Sequence, residues 1–136
     1  MFNTILVPVA LDHIETLTRK LDVARQLRAP EGRIIAVSVF EDIPSYVAEY
    51  AMVKPDRKKM VQEIKKAFDD ALVGHDDVER VTLAGKPGVV IATYAEEIGA
   101  DLIVTAASRP GSEGYALGST ASRLARRAPC SVFVIR

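Results

Sequence analysis

The chain alternates short, β-branched apolar runs with longer stretches in which apolar residues recur every three or four positions. Thr4 to Ala10 ("TILVPVA") is a run of the first kind, and its unbroken hydrophobicity suits a strand covered on both faces. Asp12 follows, with Glu15 three residues later, which predicts a capping box at a helix start. Ile14, Leu17, Leu21, Ala24 and Leu27 keep helical spacing up to "RAPEG", where Pro30 and Gly32 predict a stop. "RIIAVSVF", from about Arg33 to Phe40, reads as the second strand.

Glu41 to Val53, with Pro44, Tyr46 and Tyr50, is the longest stretch without periodicity, and a connection of that length usually carries a function or some mobility. Pro55 suits a first helical turn, and Met60 or Val61, Ile64, Phe68 and Leu72 form the stripe of a helix ending near Gly74. "VERVTLA" from Val78 is a third strand. After "GKPG", Val90, Ile91, Tyr94, Ala95 and Ile98 predict a third helix, and "ADLIVTA" a fourth strand. Gly118 to Arg127 reads as a short fourth helix, and "CSVFVIR" as a fifth strand. Strands alternating with helical connections predict an α/β fold: an open, doubly wound, mostly parallel five-stranded sheet with helices on both faces.

A chain of 136 residues matches one domain, expected over 1–136, with enough apolar content to fold without metal or disulfide. The single Cys130 has no CxxC partner and reads as a buried, inert thiol. No secretory segment precedes the first strand, and no apolar run approaches the roughly 20 residues that span a bilayer. A cytoplasmic protein without membrane insertion is expected. With 18 basic and 18 acidic side chains there is no positive excess to drive nucleic-acid binding. Arg123, Arg126 and Arg127 read as a solvated helix face that complements the helix dipole, or as a contact for a phosphate or an acidic partner.

In such a sheet ligands bind beyond the carboxyl ends of the strands. The informative segment there is "TAASRPGSEGYALGST", which sets Gly111, Gly114 and Gly118 between a strand and a helix. Glycines let the backbone approach a ligand closely, and free N–H groups at a helix start form an anion site without charged side chains. Ser119 adds a hydroxyl and Arg109 a charge-assisted bond. The alternative is a surface loop whose glycines serve only its turns. There is no GxxxxGK[ST] loop, and "VALDHIE" lacks the glycines of a dinucleotide fingerprint after the first strand. Asp12 is either a helix cap or a neighbour of a phosphate-bound magnesium ion. His75, in "GHDD", reads as part of a solvated turn, and no serine, histidine and acid arrangement suggests itself.

These residues also carry a family likeness. "ILVPV", "VSVF", "GKPGVVIATYAEEIGADLIVTA" and "ALGSTASRLARRAPCSVFVIR", in that order through the whole length, resemble the universal stress proteins. The resemblance implies strand order 3-2-1-4-5, as in the adenine-nucleotide alpha hydrolase-like fold. Nucleotide-binding members carry Gly-x-x-Gly and, further on, glycine followed by serine or threonine. Here Ser108 stands in the place of the first glycine, Gly111 matches the second, and Gly118 with Ser119 forms the closing pair. The form is similar to a bacterial ATP-binding subgroup with a divergent first glycine.

By that likeness Pro8 and Val9 flank the adenosine, Val39 meets the adenine edge, and Gly111 lines the phosphates. Gly118, Ser119 and Thr120 hold the phosphates at the helix start. Ala107 adjoins the loop, and Ala10 replaces the acidic residue that commonly follows the first strand, leaving Asp12 two positions later. The ligand so implied is ATP, ADP or AMP, with or without Mg2+. The family likeness also implies a homodimer paired through Val132–Ile135 of the last strand, or a higher oligomer built on it, and "SVFVIR" is the kind of flat β-branched edge that a partner covers. Three functions remain open: a nucleotide-binding stress-response regulator switching an unknown protein partner or its own oligomeric state, a slow ATP hydrolase, and a dimeric interaction protein with an empty pocket.

Overall fold

The computed structural model describes residues 1–11, 14–41, 57–107 and 117–136, apart from the Arg57 side chain. The elements follow as β1 (Phe2–Pro8), a single 3-10 turn (Ile14–Thr16), α1 (Leu17–Leu27), β2 (Arg28–Phe40), α2 (Arg57–Ala71), β3 (Val78–Ala84), α3 (Pro87–Ile98), β4 (Leu102–Ala106), α4 (Ser119–Arg127) and β5 (Ser131–Ile135). The five strands form one sheet in the order β3-β2-β1-β4-β5, and each neighbouring pair is parallel. Parallel neighbours need crossovers, and the helices supply them.

The two-residue period of the strands divides the core. On one face Ile5, Val7, Ile34, Ala36, Leu102 and Val104 pack against Leu17, Leu21 and Ala24 of α1 and Phe68 of α2. On the other, Leu6, Ile35, Val37 and Ile103 pack against Ile91 and Ala95 of α3 and Leu124 of α4. Both faces of β1, β2 and β4 are therefore dry, which is why those strands read as unbroken apolar runs. The Asp101 carboxylate accepts from the Asn3 and Thr4 amides at 2.8 and 2.9 Å, tying the entry of β4 to the start of β1.

Several boundaries differ from the sequence reading. β1 occupies Phe2–Pro8, so Val9 and Ala10 lie just past its end. The α-helix after it begins at Leu17, with Thr16 at the N-cap and no side-chain cap bond. Asp12, His13 and the capping box proposed through Asp12 lie outside the described residues. β2 begins at Arg28, directly after α1, and absorbs "RAPEG". Its register against β1 jumps from Phe2↔Arg28 to Thr4↔Arg33, an irregularity that accommodates Pro30 inside a strand. Pro44, Tyr46, Tyr50 and Pro55 also lie outside the described residues. Elsewhere β3 spans the expected "VERVTLA", and α3 ends at Gly99, whose φ of +68° favours glycine as the cap. Among the described residues no helix is long and apolar enough to cross a membrane.

Candidate functional site

The chain winds outward from β1 to β2 and β3, then returns to lay β4 and β5 on the other side of β1. The order thus reverses between β1 and β4, the point at which an open parallel sheet forms a crevice at its carboxyl ends. A cavity of about 260 Å³ opens there. Pro8, Val9 and Ala10 line it from the end of β1, Val37 and Val39 from β2, and Thr105, Ala106 and Ala107 from the end of β4. Gly118, Ser119, Thr120 and Ala121 close it from the start of α4, and Pro87 and Ile91 from α3. The structure thus brings Pro8, Val9, Ala10, Val39, Ala107, Gly118, Ser119 and Thr120 to one wall. Asp12, Ser108, Arg109, Gly111 and Gly114 lie outside the described residues.

Backbone bonds hold the strand ends that frame the cavity. The Val9 amide donates to Val37 O at 2.8 Å and the Ala107 amide to Ile135 O at 2.7 Å, each extending a ladder past its strand. The Gly118 amide donates to Ala107 O at 2.6 Å, which pins the N-cap of α4 to the end of β4. The first bond inside α4 runs from the Ser122 amide to Gly118 O at 2.9 Å. The amides of Ser119, Thr120 and Ala121 precede it and have no acceptor within the helix. They lie at the positive end of the helix dipole, beside the cavity. The close packing of α3 on α4 fixes this start in place. A Cβ on Gly88 would come within 2.8 Å of the Arg123 side chain, so only glycine admits that approach.

The wall is mostly apolar at the strand ends and carries the hydroxyls of Thr16, Thr105, Ser119 and Thr120. Its one charged side chain among the described residues is Lys20, which the sequence reading passed over. Lys20 is 4% exposed, and its Nζ donates to Pro8 O at 2.5 Å. Burial lowers its pKa from 10.5 to about 8. The signal was present in the spacing, since Lys20 lies one turn from both Leu17 and Ala24 on the face that packs against the sheet. A smaller hollow of about 190 Å³ shares Pro87, Ser119 and Thr120 with the cavity and adds Lys86 and Arg123, both exposed.

The remaining candidates stand apart from this wall. Arg126 and Arg127 are exposed on the last turn of α4. Cys130 is half-buried beside the second core cluster, and burial, with Asp101 nearby, raises its thiol pKa, which disfavours the reactive thiolate. His75 is more than a solvated turn residue: its Nδ1 accepts from Arg25 Nη2 at 2.9 Å, a guanidinium having only donors to offer. Arg25 also forks onto Asp77 at 2.9 Å through Nε and Nη2 and holds that carboxyl down at about 2. The residues around His75 therefore tie the end of α1 to the turn before β3. Among the described residues no group of three or more histidine, cysteine or acidic side chains is placed to hold a metal ion.

An open parallel sheet with a cavity at its switch point and a helix start facing it defines the class of architecture. The chain belongs to the universal stress protein family, whose model matches residues 1–136. Among solved structures it is similar to the universal stress protein UspA of Lactobacillus plantarum, at 23% identity and a TM-score of 0.74, covering 98% of this chain and 97% of that one. It is also similar to a universal stress protein solved in complex with cAMP, at 23% identity and a TM-score of 0.61, covering 99% and 97%. A universal stress protein family protein of Arabidopsis thaliana, solved with AMP bound, shares 17% identity at a TM-score of 0.61, covering 98% and 90%.

Proposed function

We propose that this protein is an adenine-nucleotide-binding regulator, with ATP, ADP or AMP held in the cavity between β1 and β4. The observation that carries the reading is the start of α4, where three amides without helical acceptors border a mostly apolar cavity. The apolar ends of β1 and β2, with Pro8, Val9 and Val39, take the base and ribose. The amides and hydroxyls of Ser119 and Thr120, with Gly118, take the phosphates. The sequence assigns Ala107, Ser108, Arg109 and Gly111 to the same ligand through the glycine-rich segment, and Asp12 through the segment after β1. Relatives of the same fold that were solved with cAMP and with AMP support an adenine ligand.

The described wall has hydroxyls and carbonyls but no carboxylate, so by itself it does not make a magnesium site. No described residue is placed as a base for hydrolysis, and occupancy rather than turnover is the signal in this reading. The signal passes to a protein partner or to a homodimer formed through Val132–Ile135. β5 is the edge of the sheet beyond β4, and its Phe133 is 42% exposed, which supports a second copy pairing there. Isothermal titration of the nucleotide-stripped protein with ATP, ADP and AMP tests the reading. Saturable micromolar binding of at least one is expected; no heat from any of the three, with the protein folded, refutes it.

A further inference from the structure

We infer that Lys20 is the anion-reading residue of the cavity, whose ammonium selects phosphorylated adenosine over the uncharged nucleoside. The inference rests on the nucleotide reading above and names the group that gives it charge selectivity. Lys20 reaches from the first turns of α1, among the buried Leu17, Leu21 and Ala24, and both it and its acceptor Pro8 line the cavity. A lysine in such a place normally lets its head reach water or meets a carboxylate. Lys20 does neither among the described residues: it is 4% exposed and its partner is a neutral carbonyl. An ammonium has three donors and that bond uses one.

Among the described residues, the groups that face it from the other elements are uncharged. From β1, β2, β4, α3 and α4 the cavity wall presents apolar side chains, hydroxyls and backbone. Burial alone accounts for the lowered pKa, with no neighbouring charge contributing. At neutral pH the group remains largely protonated, so the cavity presents one buried, under-solvated cation. An anion entering it would find that charge strengthened by the dry wall. A neutral ligand could accept a hydrogen bond from it but would gain none of the charge–charge attraction.

The test is calorimetric titration of wild type, Lys20→Met and Lys20→Arg with AMP, adenosine and inorganic tripolyphosphate, at pH 7 and pH 9. Lys20→Met should weaken AMP by about 10- to 100-fold, the usual worth of a charged hydrogen bond. It should cost adenosine clearly less than it costs AMP, because only the phosphate meets the charge. Wild type should lose about tenfold in AMP affinity between pH 7 and pH 9, as a group titrating near 8 gives up its proton. Both variants should lack that pH dependence. An unchanged AMP affinity in Lys20→Met, an equal loss for adenosine, or a flat wild-type pH profile overturns the inference. Tripolyphosphate separates it from the reading beneath it. Lys20-dependent tripolyphosphate binding without any adenine binding would uphold the lysine and sink the nucleotide, and no binding of either would sink both. Should Lys20→Met fail to fold, the wild-type pH profile still decides.

Discussion

Lys20 should also make this protein more stable in alkali, against the usual trend. The perturbation is Lys20→Met in the ligand-free protein, a change that keeps an unbranched side chain one atom shorter and removes its charge. Burial moves the lysine from 10.5 to about 8, so below pH 8 the protonated folded state carries a penalty of about 3 kcal/mol. Between pH 8 and 10.5 the unfolded chain binds more protons at this position than the folded one. Stability therefore rises with pH through that window, and the penalty is gone once both states are neutral. The bond to Pro8 O offsets part of it, by about 1 kcal/mol. At pH 7 Lys20→Met should be more stable than wild type by about 2 kcal/mol, and the gap should shrink by about 3 kcal/mol by pH 10.5. Urea unfolding followed by far-UV circular dichroism, at fixed protein and salt concentration, measures both proteins at each pH. Subtracting one from the other removes the other lysines and the tyrosines, which titrate alike in the two. A gap that stays constant from pH 7 to 10.5 would refute the reasoning, as would a variant less stable than wild type at pH 7.

Ser119→Ala removes one hydroxyl donor at the start of α4 and should weaken nucleotide binding by roughly 1.5–3 kcal/mol, read by the same titration. Asp77→Asn breaks the fork onto Arg25; with the carboxylate side chain 38% exposed, it should cost no more than about 1 kcal/mol. That cost should be full above the ordinary carboxyl value of 3.8 and vanish as pH falls through about 2, where wild type is protonated too. Acid unfolding curves of the pair would show it, and curves that never converge would exclude it. Phe133→Glu puts a charge on the exposed edge of β5 and should convert a dimer to a monomer in light scattering coupled to size exclusion, while a dimer unchanged by it would move the interface elsewhere.

Much of this fold was legible because both of its faces are covered. Strands buried on two sides leave unbroken apolar runs, and "VERVTLA" was bounded on each side by turn residues, so β3 matches residue for residue. The start of α1 was less legible. Asp12 with Glu15 looks like a cap, yet Ile14 is 49% exposed, and the residues that pack begin at Leu17, where the α-helix itself begins. "RAPEG" marks the end of the helix correctly. Nothing local tells that Arg28 pairs at once with Phe2, because the partner lies outside the segment.

The candidate site divides in the same way. Glycine and serine at 118 and 119 announced a helix start, and topology alone placed it opposite the ends of β1 and β2. Lys20 stayed hidden because a lysine on a helix reads as a solvated residue. Its burial depends on how α1 lies across the sheet, which is a tertiary fact. His75 likewise became a partner of Arg25 only once α1 and the turn before β3 met.

The central claim is that an adenine nucleotide occupies the cavity with its phosphates at the start of α4. Gly118 tests it most directly, since it lines the cavity and its φ of −62° and ψ of 167° suit any residue, so a side chain there changes the space and not the backbone. The measurement is binding of a fluorescent ATP analogue to wild type and Gly118→Phe, with unlabelled ATP as competitor and circular dichroism confirming both folds. The account predicts saturable binding to wild type that ATP displaces and that Gly118→Phe abolishes. Equal binding to the two proteins, or none to wild type, would contradict it.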